Sequence, residues 1–263
     1  KPTEPTEPSK PVDTNPIENP VNTDTGVVIV AVEDSKPIIQ LGDGTTKTTN
    51  KFHKVKGENG VGYLQNIVQI AAENNTSHAL TADGSVYSYG YNYYGQFGNN
   101  TTTDESANPY PVKMQKVSNI IQISAGDSYI TMLDANGSVW NVGYNGNGQL
   151  GLGDTKNRTE PTKVNIENVI DITAGYQYTA ILKNDGTVWT TGYSGYGTSG
   201  IDAKPSKEFR QVPNLTDVIE ISSGSNTMHA LKKDGTVWTW GSNTYGQLGN
   251  GSSVNSMLPV QVK

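Results

Sequence analysis

Short apolar runs alternate with polar, glycine-marked turns along most of the chain. Four runs share one pattern: Ile67-Val68-Gln69-Ile70-Ala71-Ala72, Ile120-Ile121-Gln122-Ile123-Ser124-Ala125-Gly126, Val169-Ile170-Asp171-Ile172-Thr173-Ala174-Gly175 and Val218-Ile219-Glu220-Ile221-Ser222-Ser223-Gly224. Each leads into a second run that carries Leu80, Leu133, Leu182 or Leu231 near its end. A turn follows at Asp83-Gly84, Asn136-Gly137, Asp185-Gly186 or Asp234-Gly235. A third run bears an aromatic residue and ends on Gly90, Gly143, Gly192 or Gly241, at intervals of 53, 49 and 49 residues. After a loop comes a last extended piece marked by Pro109 and Pro111, Pro161, Pro213 or Pro259. Runs of this length are strands, and Asp-Gly or Asn-Gly between them predicts two-residue hairpins with both central residues at positive φ. Proline suits an outer edge strand, where a missing N–H costs little. Four strands (A to D) per unit of about 50 residues predict an all-β fold, a β-propeller of four-stranded blades.

The blades fall at 66–116, 117–166, 167–214 and 215–263, within a propeller domain at 25–263. A half blade at 25–65 precedes them: Gly26–Val32 reads as strand C, and Gln40-Leu41-Gly42-Asp43-Gly44 resembles the loop Gln247-Leu248-Gly249-Asn250-Gly251. Four complete blades plus a half blade make an incomplete or contracted ring. An open ring leaves two apolar blade faces in water, at a cost on the order of 10 kcal/mol each. Either further blades come from the parent chain or another chain, or five blades contract into a ring. Residues 1–24 hold six of the 13 prolines among Thr and Glu, the composition of an extended linker. A chain that opens at Lys1 rather than Met reads as a processed or excised piece.

Gly-Gln-Phe-Gly at 95–98 and Gly-Gln-Leu-Gly at 148–151 and 246–249 each follow an aromatic-x-x-Gly strand end. In the third unit Gly195-Tyr196-Gly197-Thr198 stands in this place and lacks Gln and Leu. In this combination the units resemble the regulator-of-chromosome-condensation repeat. That resemblance implies a β-propeller, usually of about seven blades, whose fold is shared more widely than any one function.

In an antiparallel blade the A–B and C–D loops leave one side, and the B–C turns and D–A connections the other. The B–C turns are minimal. The C–D loops carry Tyr91, Asn92, Tyr93 and Tyr94, then Tyr144 and Asn145, then Tyr193 and Tyr196, then Asn243 and Tyr245. The A–B loops add Asp127 and Tyr176. Tyrosine with Asn, Ser and Gly is the composition of adaptable binding surfaces, because a Tyr ring buries area at low rotamer cost. These residues are the candidate partner-binding set; packing against the next blade is the competing role for each tyrosine. Propellers that the chain resembles use the same side for protein partners.

Catalytic chemistry is sparse. The chain has no cysteine, which excludes disulfides, thiolate nucleophiles and cysteine-ligated metals. There is no phosphate loop, Gly-x-Ser-x-Gly, His-x-x-x-His or calcium ladder, so no cofactor or metal is expected. His78 and His229 lie two residues before the B-strand leucine and so point into blade packing, whereas His53 reads as exposed. Trp140, Trp189, Trp238 and Trp240 read as packing residues. A net charge of −6 with only Arg158 and Arg210 as arginines argues against nucleic acid, and no apolar run is long enough for membrane insertion. The reading is a noncatalytic binding or adhesion module, secreted or at a cell surface, of bacterial style, with a protein partner. Alternatives are a carbohydrate-binding module whose tyrosines stack on a glycan, a small-GTPase exchange factor, and a propeller lyase.

Overall fold

The computed structural model describes residues 41–47, 49–103 and 108–263. The linker at 1–24 and the strand expected at Gly26–Val32 lie outside the described residues. Sixteen strands among the described residues form four antiparallel sheets, each of four strands consecutive in sequence. Blade 1 holds β1 (Ile67–Glu73), β2 (Thr76–Thr81), β3 (Val86–Gly90) and β4 (Asn108–Lys113). Blade 2 holds β5 (Ile120–Gly126), β6 (Tyr129–Asp134), β7 (Val139–Gly143) and β8 (Arg158–Lys163). Blade 3 holds β9 (Val169–Ala174), β10 (Tyr178–Lys183), β11 (Val188–Gly192) and β12 (Ser206–Gln211). Blade 4 holds β13 (Val218–Ser223), β14 (Thr227–Lys232), β15 (Val237–Gly241) and β16 (Ser256–Gln261). The fold is all-β, the propeller architecture that the repeat predicts, with the A strands side by side around a central cleft.

The core lies between blades rather than within them. Blades 1 to 3 each present the B-strand leucine, the first valine of strand C and an apolar residue after strand D to the next blade. For blades 2 and 3 these are Leu133, Val139 and Val164, packed on Val169, Ile172 and Ile181. The same positions meet between blades 1 and 2 and between blades 3 and 4. Polar bonds stitch the same seams. Gln69 on strand A donates to the Ile123 carbonyl at 2.9 Å and accepts the Ile123 N–H at 2.8 Å. One blade further on, Asp171 accepts from Gln122 at 2.7 Å and from the Ile221 N–H at 3.0 Å. Tyr129 Oη donates across the seam to the Gly175 and Tyr178 carbonyls, and Tyr178 Oη donates to those of Gly224 and Thr227. His78 is enclosed, with Nδ1 2.8 Å from Ser88 Oγ, and burial pushes its pKa down to about 3.

Three sequence expectations are corrected. The B–C hairpins are three-residue loops, not two-residue ones. Thr81 N donates to the Ser85 carbonyl and Gly84 N to Thr81, with only the glycine at positive φ (Gly84 +78°). This is a type I turn closed by a left-handed glycine, and Asp83 stabilises it by accepting the Ser85 N–H at 3.0 Å. The third C–D loop aligns as Gly197-Thr198-Ser199-Gly200, two residues later than the sequence suggests. Gly200 N donates to the Gly197 carbonyl, as Gly98 does to Gly95 and Gly151 to Gly148. Ser199 is smaller than the Leu150 and Leu248 at its position, and Trp240 of blade 4 fills the space, its Nε1 donating to Thr198 O at 3.1 Å. The half blade expected at 25–65 is described only in part, since its first strand lies outside the described residues. Its described part holds a bridge from Lys56 to Tyr63 and a 3-10 turn at Glu58–Gly60, where Asn59, Gly60 and Gly62 sit at positive φ. Last, His229 is only half-buried although it shares the position of His78.

Candidate functional site

Strand topology and hydrogen bonds bring the A–B and C–D loops together at one end of every blade. The first residue after strand C donates its N–H to the carbonyl of the last residue of the A–B loop: Tyr91 to Asn75, Tyr144 to Ser128, Tyr193 to Gln177 and Ser242 to Asn226. The glycine ending strand C permits this approach. At Gly143 (φ +108°) a Cβ would stand 2.5 Å from the Ser128 carbonyl oxygen.

Asn92, Asn145 and Asn243, expected on the binding surface, are instead fully enclosed. Each is the hub of its own C–D loop. Asn145 Oδ1 accepts the Leu150 N–H at 2.9 Å and its Nδ2 donates to the Asp154 carbonyl at 3.0 Å. Asn92 and Asn243 do the same with Phe97 and Thr101, and with Leu248 and Ser252. Buried amides need their partners, so these side chains hold the loop and leave contact to others. In the third loop Ser194 takes this position and bonds Ser199 Oγ at 2.8 Å.

The tyrosines are distributed unevenly on the rim. Tyr93, Tyr176, Tyr196 and Tyr245 are exposed, Tyr245 at 93 %. Tyr91, Tyr94, Tyr144 and Tyr193 are half-buried. At the junction of blades 1 and 2 four rings adjoin. Tyr91 lies parallel to Tyr93 at 6.1 Å, Tyr93 meets Tyr94 edge-on at 5.0 Å, and Tyr94 meets Tyr144 at 4.8 Å. Tyr193 and Tyr196 form a separate pair at 6.2 Å. Beside the four-ring cluster, Asp127 accepts from Asn74 Nδ2 and, at 3.3 Å, from Gln177 Nε2. Its N–H donates to the Tyr176 carbonyl, and the Tyr176 N–H to Ser225, so the A–B loops form a hydrogen-bonded chain around the axis. The Asp127 charge is the main cause of a raised Tyr176 pKa; for Tyr94 burial is the larger cause, with Asp127 adding to it.

Sequence reasoning missed Glu73. It lines the central cleft of about 480 Å³ together with Tyr176 and the Ser124, Thr173 and Ser223 hydroxyls. Burial, then the Asp127 charge, pushes its carboxyl pKa up. The signal was present in the repeat, for Glu73 stands where the other blades have Gly126, Gly175 and Gly224. In blades 2 and 3 that glycine makes room for the rings of Tyr129 and Tyr178; blade 1 has Thr76 there, which frees the space. Among the described residues no group of three or more His, Asp or Glu side chains could hold a metal ion, and no helix is long and apolar enough to cross a membrane.

Glycine-punctuated blades with interblade cores define a propeller of repeated four-stranded sheets. The model of the RCC1-like domain matches residues 34–263, and the chain belongs to that family. A stretch of 101 residues is 38% identical to the probable E3 ubiquitin-protein ligase HERC4 of Rattus norvegicus, covering 38% of this chain and 10% of that protein. Human WBSCR16 has a similar structure, with TM-score 0.70, 25% identity, and coverage of 82% of this chain and 56% of that one. Prp20p of Saccharomyces cerevisiae, described for its binding properties to Gsp1p and histones, shares the fold at TM-score 0.68 and 18% identity, over 82% of this chain and 57% of that one. This chain therefore spans a tenth of the first relative's length and a little over half of the structural neighbours.

Proposed function

We propose that the chain is a noncatalytic binding module that recognises a protein partner through the face made by its A–B and C–D loops. The observation that carries this is the gathering of exposed and half-exposed tyrosines on that one face, over loops whose backbone is fixed by buried asparagine or serine hubs. Rigid loops presenting aromatic rings bind at low entropic cost. Prp20p, a fold neighbour, is described as binding Gsp1p and histones, which supports a protein partner. The Pro/Thr/Glu-rich segment at 1–24 and the cysteine-free, Asn/Thr/Tyr-rich blades support a secreted or cell-surface setting of bacterial type, in which the module serves adhesion. The parallel Tyr91 and Tyr93 rings favour a glycan as the second reading, since a sugar face stacks on such a surface.

The test places a photo-crosslinking residue at Tyr196 or Tyr245, and at Glu167 on the opposite face as control. Protein adducts formed from the tyrosine positions and not from Glu167, in extracts of the source cells, support the reading. Adducts equal at both faces overturn it, and binding to a glycan array that is lost in Tyr93→Ala replaces it with the second reading.

A further inference from the structure

The junction of blades 1 and 2 carries an electrostatic deficit. Among the described residues neither Glu73 nor Asp127 is in an ion pair. Carboxylates in the C–D loops of blades 2 and 3 are treated differently. Asp154 is paired with Arg158 at 2.8 Å and Asp202 with Arg210 at 3.0 Å, so both arginines of the chain are already engaged. Glu73 and Asp127 are both half-buried, and the Asp127 charge adds to the burial that already makes Glu73 costly to ionise. Asn74 and Gln177 fix the Asp127 carboxylate without neutralising it. Next to this pair stands the largest group of adjoining rings on the rim, Tyr91, Tyr93, Tyr94 and Tyr144.

We infer that this junction binds an arginine side chain of the partner, its guanidinium laid against the tyrosine cluster and hydrogen-bonded to the carboxylates of Asp127 and Glu73. A planar guanidinium can stack on a ring while its edge forks onto a carboxylate, which an ammonium cannot do. A neutral sugar would stack equally well and leave the like-charged pair uncompensated. The Tyr193–Tyr196 pair of blade 3 shares its loop with Asp202, which Arg210 already neutralises, and the A–B and C–D loops of blade 4, which carry Tyr245, contain no Asp or Glu, so these rings supply contact area and the junction supplies charge selectivity. This assignment rests on the protein-binding reading above and names the chemistry that the partner presents.

The ¹⁵N-labelled full chain is titrated with acetyl-Gly-Gly-Arg-Gly-Gly-amide and with the same peptide carrying citrulline, which keeps the shape and removes the charge. The arginine peptide is expected to shift the amides of Asn74, Tyr94, Asp127 and Tyr176, and the citrulline peptide to bind about tenfold more weakly. Asp127→Asn and Glu73→Gln each weaken arginine binding by about fivefold or more. Glu167→Gln, which makes the same change in net charge on the opposite face, leaves it unaltered. Equal binding of the two peptides, shifts confined to other surfaces, or no effect of either carboxylate substitution overturns the inference. Glu73→Gln keeps the test decisive if Asp127→Asn disturbs the loop, which the dispersion of the amide spectrum reports. Crosslinking from Tyr245 that persists in Asp127→Asn with unchanged yield refutes the arginine subsite and leaves the protein-binding face standing. Loss of face-specific crosslinking in the unmodified chain removes the reading beneath it.

Discussion

The seam between blades 2 and 3 and the outer face of blade 4 are built from the same residue types and differ in what covers them. Leu133 and Val139 are closed off by blade 3, at 1% and 0% exposure. Their counterparts in blade 4 are half-buried Leu231 and Val237 at 37%. The glycines report the same contrast. A Cβ at Gly186 would lie 3.0 Å from Asp217 N, and one at Gly235 would meet nothing within 4 Å. At the other end of the array, Ile70 is 46% exposed, whereas Ile123, Ile172 and Ile221 are 2%, 2% and 5%. Blade 4 is therefore shaped for a neighbour that the described residues do not provide. Stability in this chain belongs to pairs of adjacent blades, as in a repeat array, and each missing pair leaves its apolar half in water.

The comparison can be broken most directly by truncating the leucine. Leu133→Ala should cost about 2–5 kcal/mol by urea denaturation and Leu231→Ala well under half of that; equal losses would mean that blade 4 is covered in solution. The histidines come next. The folded state keeps His78 neutral with a pKa near 3, and the unfolded chain takes up a proton below about 6.5, so this stability is present above pH 6.5 and drains away as pH falls toward 3. The loss by pH 4 is on the order of 3 kcal/mol. It should vanish in His78→Gln, and His229→Gln should change it much less, since half-exposed His229 is lowered by a smaller burial. Smaller again is the glycine pair. Both residues lie at positive φ and share a strain of about 1–2 kcal/mol on substitution by alanine, so Gly186→Ala should exceed Gly235→Ala only by the added contact with Asp217. Least of all, Leu231→Lys with Val237→Thr should change the unfolding free energy by less than about 0.5 kcal/mol yet reduce binding of a hydrophobic dye or self-association; a large destabilisation would show a covered face.

The architecture was legible because each blade repeats one grammar: an apolar run, a leucine, Asp-Gly or Asn-Gly, an aromatic strand and a closing glycine. Burial on both sides of a sheet forces that regularity, and regularity is what a single sequence displays best. The misreadings arose where one residue pair admits two geometries. Asp-Gly serves a two-residue hairpin and a three-residue loop alike, and only the hydrogen bond from Thr81 to Ser85 separates them. The third C–D loop was misaligned because Ser199 lost the leucine signal, and the compensating Trp240 lies 41 residues later, beyond any local pattern. Composition placed Asn92, Asn145 and Asn243 among binding residues, yet the amide that suits a surface also suits a loop hub. Glu73 went unremarked because one departure from glycine means little until the rings of Tyr129 and Tyr178 show what that glycine accommodates.

The loop hubs separate two kinds of inheritance. Because Asn243 ties its loop to Leu248 and Ser252 from the inside, an outward side chain between those anchors such as Tyr245, 93% exposed, can change without loosening the loop. New specificities can be drafted there by mutation, one blade at a time, without renegotiating the fold, and the same property makes these loops the natural graft points for an engineer.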